Sequence, residues 1–283
     1  MLAILMLSGV RGGSQVSIYG NNKYLFFYIP SFIFKSKMLL TARRSAELLT
    51  ISPQTEFKIV EMARVSAQPS QFLNMSSQTA TREEQSRRLI KYLVAHKHWS
   101  PFEMCCMTIK ITTTRDISRQ ILRHRSFSFQ EFSQRYQDIK ILNEKPIFRE
   151  ARLQDKKNRQ NSLKCHDEEI EKIWHDHQQS VWNVCMSAYN NALALGIAKE
   201  QARVLLPEGL CQTQMYMTGS IRSWIHYLQI RTGLETQKEH RDVALEIKKI
   251  FIQQLPIIGD ALFNIQQDPQ IVPILTQPSE HSL

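Results

Sequence analysis

Cysteine is sparse in this chain and falls into no ligand pattern. Cys105, Cys106, Cys165, Cys185 and Cys211 make an odd count with one adjacent pair and no Cys-x-x-Cys spacing. That argues against a disulfide framework and a zinc site, so no metal is expected. Each cysteine is expected as a small core residue in a reducing compartment, the cytoplasm. The first 37 residues lack any acidic side chain and are rich in Leu, Ile, Phe and Tyr. The chain also lacks an apolar run long enough to span a bilayer: Met1 to Leu7 is too short, and Tyr24 to Phe34 is broken by Pro30. No basic segment precedes the first apolar run, which argues against a signal peptide, and a single arginine, Arg11, fits a transit peptide poorly. Residues 1–37 are expected as an extension outside the fold, with Met38 as an alternative start.

What is present is globular and basic. Hydrophobic residues make up 42% and charged residues 22%, enough apolar material for a core in one large domain. The net charge of +10 favours anionic partners, nucleotides and nucleic acid alike.

The pattern becomes regular after Pro53. Helices are predicted over Thr55–Arg64, Arg82–His96, Arg115–Arg123, His166–Leu195, Lys199–Leu206, Ile221–Arg231 and Thr236–Leu255. Thr81 and Glu84 form a capping-box pattern, and Gly196 is placed as a C-cap. Strands are predicted over Met104–Thr113 and Leu210–Thr218, with polar connections over Pro69–Thr79 and Pro146–Asn161. Ile170, Ile173, Trp174, Val181, Val184 and Cys185 are expected to be the buried stripe of the long helix. With no repeat and no linker, a single α+β domain over residues 38–262 is expected, its antiparallel strands flanked by helices, with a tail over 263–283.

One segment concentrates chemistry: Arg123-His124-Arg125-Ser126-Phe127-Ser128-Phe129-Gln130-Glu131-Phe132-Ser133-Gln134-Arg135-Tyr136. Guanidinium forks and hydroxyls hold phosphate, whereas Glu131 would repel it and is expected to meet a ribose hydroxyl or a base edge. A solvated basic loop or a nucleic-acid patch has the same composition. The spacing resembles the signature of flavin-dependent thymidylate synthases at Arg123, His124, Arg125, Ser128, Ser133 and Arg135; Gln130 stands where that family usually has Asn. Four flanking segments are similar to other elements of the family, in the same order. They are His98-Trp99-Ser100-Pro101-Phe102-Glu103, Arg119-Gln120, Ala202-Arg203-Val204-Leu205-Leu206-Pro207, and Ser220 to Arg231 with Glu235-Thr236-Gln237-Lys238-Glu239. Ser220 and His226 stand at family Asn positions and Glu235 at a family His.

The resemblance implies reductive methylation of dUMP to dTMP, with 5,10-methylenetetrahydrofolate as carbon donor and FAD reduced by NADPH. It implies no nucleophilic cysteine, unlike the unrelated class of thymidylate synthase. By the same resemblance, Gln120, Arg123, Glu131, Ser133, Arg135, Arg203 and Arg231 hold dUMP. Ser100, Glu103, His124, Arg125, Ser126, Gln130, Glu131, Ser220, Arg222 and His226 hold FAD; Ser128 belongs to the same matched frame. His98 and Arg231 carry the catalytic roles. A homotetramer with sites at subunit interfaces is expected, with no nucleic-acid or membrane partner. Two alternatives stay open: an FAD-binding homologue without methylation, kept open by Gln130, Ser220, His226 and Glu235, and a basic nucleic-acid-binding module.

Overall fold

A computed structural model describes residues 45–65, 81–142 and 145–263. The expected extension over 1–37, the polar loop over Pro69–Thr79 and nearly all of the expected tail lie outside the described residues.

Strand β2 (Cys106–Thr114) shows why a sheet forms. Its apolar positions alternate, so Met107, Ile109 and Ile111 are buried while Thr108, Lys110 and Thr112 face the other way. It pairs antiparallel with β1 (Ala46–Ile51) on one side and β6 (Gln212–Ser220) on the other. Strand β3 (Phe127–Glu131) adds to β6, giving the order β1-β2-β6-β3, all antiparallel. On the polar face the Thr108 and Thr218 hydroxyls bond across the register at 2.7 Å.

Helices cover the apolar face. These are α1 (Thr55–Ala63), α2 (Arg82–Ala95), α3 (Arg115–Ile121), α6 (Ile221–Arg231), α7 (Lys238–Gln254) and α8 (Pro256–Phe263). Thr81 and Glu84 form the reciprocal capping box at α2. Trp224 of α6 is wholly buried, and its indole N–H donates to the Met107 carbonyl at 2.9 Å, tying helix to strand.

A second, smaller cluster lies under α4 (Glu168–Ala194), where Trp182 and Tyr189 pack with Ile139, Leu206, Leu210 and Cys211. Near it are α5 (Lys199–Ala202) and a 3-10 turn over Arg203–Leu205. Gly196 follows α4 with φ of 81°, the left-handed conformation expected of a C-capping glycine.

The structure corrects several expectations. The helix over Arg115–Arg123 stops at Ile121, so Gln120 is helical while Arg123 lies in the turn beyond it. The connection over Pro146–Asn161 contains β4 (Arg152–Gln154), which pairs with β5 (Ser162–Lys164) as a hairpin. Strands β1 and β3 and helix α8 appear where none were expected. The expected buried stripe of α4 is exposed: Ile170, Ile173, Trp174, Val181 and Val184 all face solvent, Val184 at 68%. Cys185 is only partly covered. The second cluster takes only the Trp182–Tyr189 side of the helix, so among the described residues little covers these side chains, although the Trp174 indole N–H donates to the Arg149 carbonyl at 2.9 Å. Cys106 is also exposed, because it occupies the polar parity of β2, whereas Cys105, Cys165 and Cys211 are buried.

Candidate active site

The signature occupies a helix–turn–strand corner. Helix α3 ends at Ile121, the chain turns through Arg123-His124-Arg125-Ser126, and β3 begins at Phe127. The turn is closed by the His124 N–H donating to the Ile121 carbonyl at 3.1 Å. Phe127 anchors it, because its ring lies over Gly219 of β6, its register partner, and meets Trp224 edge-on at 4.8 Å.

Helix α6 runs beneath this corner and binds it at two points. Ser223 Oγ donates to the Ser126 carbonyl at 3.2 Å, and Arg231 Nε donates to His124 Nε2 at 2.9 Å. A guanidinium N–H is only a donor, so His124 Nε2 must accept and the ring is neutral with its proton on Nδ1. Burial, with Arg231, His226 and Arg123 nearby, lowers the His124 pKa to about 4. Tyr227 packs edge-on to His124 at 4.9 Å, and its hydroxyl lies 3.1 Å from Nε2 of the buried His240. Burial, then Arg231 and His124, hold His240 down to about 3, and its Nδ1 is buried without a hydrogen-bond partner.

The opposite end of α6 builds a different group. Glu103, on the 3-10 turn Ser100–Met104, accepts from the Ser220 hydroxyl and pairs with Arg222 at 2.7 Å. The Ser220 hydrogen bond and Arg222 hold the Glu103 carboxyl below its ordinary range. Ser220 also N-caps α6, accepting from the Ser223 N–H at 3.2 Å. Glu103, Arg222, Ser100 and the exposed His98 line an open cleft of about 560 Å³. Arg222 and Arg231 are separated by about 13 Å along the helix, at 1.5 Å per residue. His226 is exposed between them.

The remaining expected positions divide by what they touch. Glu131 is engaged from within the chain: its Oε1 accepts from Ser118 and Thr213 at 2.8 and 2.9 Å, with Arg115 3.6 Å away. Arg135 pairs with Glu200 at 3.1 Å, and Gln120 donates to Gln237 at 2.8 Å. Gln130 and Ser133 are exposed. The side chains of Arg123, Arg125 and Arg203 make no hydrogen bond or ion pair with any described residue, and Arg231 has no carboxylate partner among them. Guanidinium groups left without carboxylates near the exposed side chains of Ser126 and Ser128 suit anions. Two such turn arginines, the Ser126 and Ser128 hydroxyls and an open cleft also fit a dinucleotide such as FAD.

Sequence reasoning missed Tyr227, His240, Ser223, Ser118 and Thr213. Most of their partners lie more than 80 residues away, so no local spacing could have revealed them.

The fold and the site together define a nucleotide-binding α+β enzyme. Residues 47–257 match the model of the family described as thymidylate synthase complementing protein, and the chain belongs to that family. It is 51% identical over 175 residues to a flavin-dependent thymidylate synthase of Synechocystis sp., covering 62% of this chain and 79% of that one. It is 49% identical over 174 residues to a probable flavin-dependent thymidylate synthase of Paramecium bursaria Chlorella virus 1, with the same coverage. Among solved structures it is similar to the UMP/dUMP methylase PolB from Streptomyces cacaoi bound with 5-Br dUMP. That likeness has a TM-score of 0.64 and 25% identity over 76% of this chain and 93% of that one.

Proposed function

We propose that the two ends of helix α6 share the labour of reductive methylation of dUMP to dTMP, the nucleotide held at the Arg231 end and the flavin reaching from the His124 turn to the Glu103–Arg222 end. The family and its flavin-dependent relatives support this reaction and a flavin cofactor, FAD, and the reading adds 5,10-methylenetetrahydrofolate and NADPH as co-substrates. The observation that carries the division of residues is the set of arginines without carboxylates, Arg123, Arg125, Arg203 and Arg231, beside others that are neutralised.

Arg123, Arg203 and Arg231 hold the nucleotide, with Gln120, Ser133 and Arg135 around it. Arg135 would exchange Glu200 for the ligand, since that pair is exposed and weak. Arg231 has a second task. Its Nε is fixed by neutral His124, which leaves its terminal nitrogens to stabilise negative charge developing on the pyrimidine. Neutral His124 adds no positive charge of its own, so the guanidinium keeps the electrostatic role.

Ser100, Glu103, His124, Arg125, Ser126, Gln130, Ser220, Arg222 and His226 hold FAD. Glu131 braces the signature from inside and presents what remains of its carboxylate to both ligands. When bound, FAD supplies the reducing equivalents, so the chain's residues bind, orient and exclude water. His98, at the open cleft, assists the folate and flavin steps.

The same reading includes a homotetramer, supported by the exposed apolar face of α4, which needs a partner surface. It places the catalytic domain over 38–262 and the reaction in the cytoplasm. Among the described residues no helix is long and apolar enough to cross a membrane.

The test is dTMP formation by purified protein given dUMP, methylenetetrahydrofolate, FAD and NADPH under low oxygen, with each component omitted in turn. Product that requires all four is expected. Product without FAD, or salt-sensitive nucleic-acid binding with no bound chromophore, would overturn the reading.

A further inference from the structure

A second cleft, of about 400 Å³, lies beside the corner just described. It is bounded by the β4–β5 hairpin and by the loop that leads into α7. Its cations are Arg152, Lys164, Lys238 and Arg241. Arg152 is clamped between two carboxylates, Glu239 at 2.7 Å and Glu150, which lies 3.5 Å from its buried Nη1. Lys164 stands opposite Arg152 in the hairpin register and makes no hydrogen bond or ion pair with any described residue. Lys164 therefore has donors to spare.

The rest of the lining is rich in primary amides: Asn158, Gln160, Asn161 and Gln237. The hairpin tip that carries three of them is already organised. The Asp155 carboxylate accepts from the Lys157 N–H at 2.8 Å, the Asn158 N–H at 3.2 Å and Asn161 Nδ2 at 2.8 Å. A ligand that enters need not order this loop, which lowers the cost of binding. The cleft also adjoins the nucleotide side, because Gln237 accepts from Gln120.

The chemistry selects the occupant. Glu150 and Glu235 also line the cleft, so the positive excess is modest. A phosphate dianion would meet those two carboxylates and gain little. A chain that alternates amide groups with single carboxylates suits the lining better, since the amides pair with amides and the spaced cations with spaced carboxylates. Among the ligands of the reaction, only the folate carries such a chain. We propose that this cleft receives the glutamyl tail of the folate co-substrate, an inference that rests on the reading of the chain as a folate-using enzyme.

The experiment measures, by calorimetry, the binding of tetrahydrofolate with one and with five glutamyl residues to the full-length protein loaded with FAD and dUMP. The longer tail is expected to bind about fivefold tighter, the scale of one or two partly exposed charge pairs. In Lys164→Glu, and separately in Gln160→Ala should the first variant fold poorly, that advantage is expected to be lost. Equal affinities for the two tails in the wild type would overturn the proposal, as would an advantage that survives both substitutions. A weakened affinity for NADPH or dUMP in place of the tail effect would assign the cleft to a phosphate and overturn it too. Wild-type turnover with the monoglutamate, run on the same preparation, tests the enzymatic reading separately.

Discussion

Helices α4 and α6 differ in what the chain does with their apolar residues. Helix α6 is 11 residues long, and Ile221, Ser223, Trp224, Ile225, Tyr227 and Leu228 are buried, more than half of it. Helix α4 is 27 residues long, yet only Gln178, Trp182 and Tyr189 are buried. Both carry apolar residues at helical spacing, so periodicity does not separate them. What separates them is the surface available. Helix α6 sits on the apolar face of the sheet, with Arg222, His226 and Arg231 left on its outer edge. Helix α4 covers a small cluster and turns the rest of its apolar side chains outward. Burial within one chain thus marks the helix that carries the candidate site, and exposure marks the helix whose apolar face the described residues leave uncovered.

The sharpest test of that contrast is Trp224→Ala. The cavity and the lost bond to the Met107 carbonyl should cost about 3–5 kcal/mol of unfolding free energy, read from denaturant titration. A loss below about 1 kcal/mol would mean that α6 is not the central packing element. Arg231→Ala tests the outer edge of the same helix. The side chain is only partly covered and packs no core, so stability should hold while turnover drops about 10²–10³-fold, the scale of removing one preorganised donor. Near-normal turnover would sink the assignment of Arg231. Gly219→Ala probes the join between signature and sheet. A β-carbon there would overlap the Phe127 ring, and the overpacking should cost about 1–3 kcal/mol. FAD absorbance retained per protein should fall with it, because Phe127 anchors the turn.

The acid side of the stability curve sharpens the contrast again. His240 and His124 both sit below 6.5 in the folded chain, at about 3 and about 4. Between pH 6.5 and those values the unfolded chain binds more protons, so stability falls as pH drops through that window and is level above it. For wholly buried His240 the limiting slope is about 1.4 kcal/mol per pH unit, one proton. Partly open His124 adds in the same sense with a smaller share. In His240→Phe the slope over pH 3 to 6.5 should shrink by about one proton, measured from unfolding free energies across the window. An unchanged slope would show that His240 titrates normally.

The local signals in the sequence were legible because their causes are local. The Thr81–Glu84 capping box and Gly196 with its positive φ depend on backbone within a few residues. The α+β class follows from elements of both kinds, and β2 reads as a strand from its alternation alone. Strand β3 also alternates, with Phe127 buried and Ser128 exposed, but it lies inside the signature and five residues of alternation weigh little beside a chemical motif. The β4–β5 hairpin was hidden in a charged run because both of its strands are three residues long. At the site, the residues that carry the motif were legible and their supports were not. Nothing near His124 in the sequence points to Tyr227, which is 103 positions on and arrives only because β6 returns to lie beside β3. The α4 stripe was legible as apolar spacing but not as exposure, since the same pattern serves a core and a partner surface.

The smallest effect on the folded chain should come from α4, and that smallness is what tells. Val184 is 68% exposed, so Val184→Glu should change the unfolding free energy of dilute protein by less than about 0.5 kcal/mol. The same substitution should dissociate the assembly, because a carboxylate placed in an apolar interface has no partner there. Sedimentation of wild type and variant at one concentration reads this directly, the variant moving to smaller species. If assembly persists, α4 is not the contact, and its apolar face must be covered by something other than a second copy. If assembly is lost together with FAD binding, the site at the corner of α3 and β3 needs a neighbouring chain to be complete. That outcome would tie the two helices into one device, with α4 assembling what α6 positions.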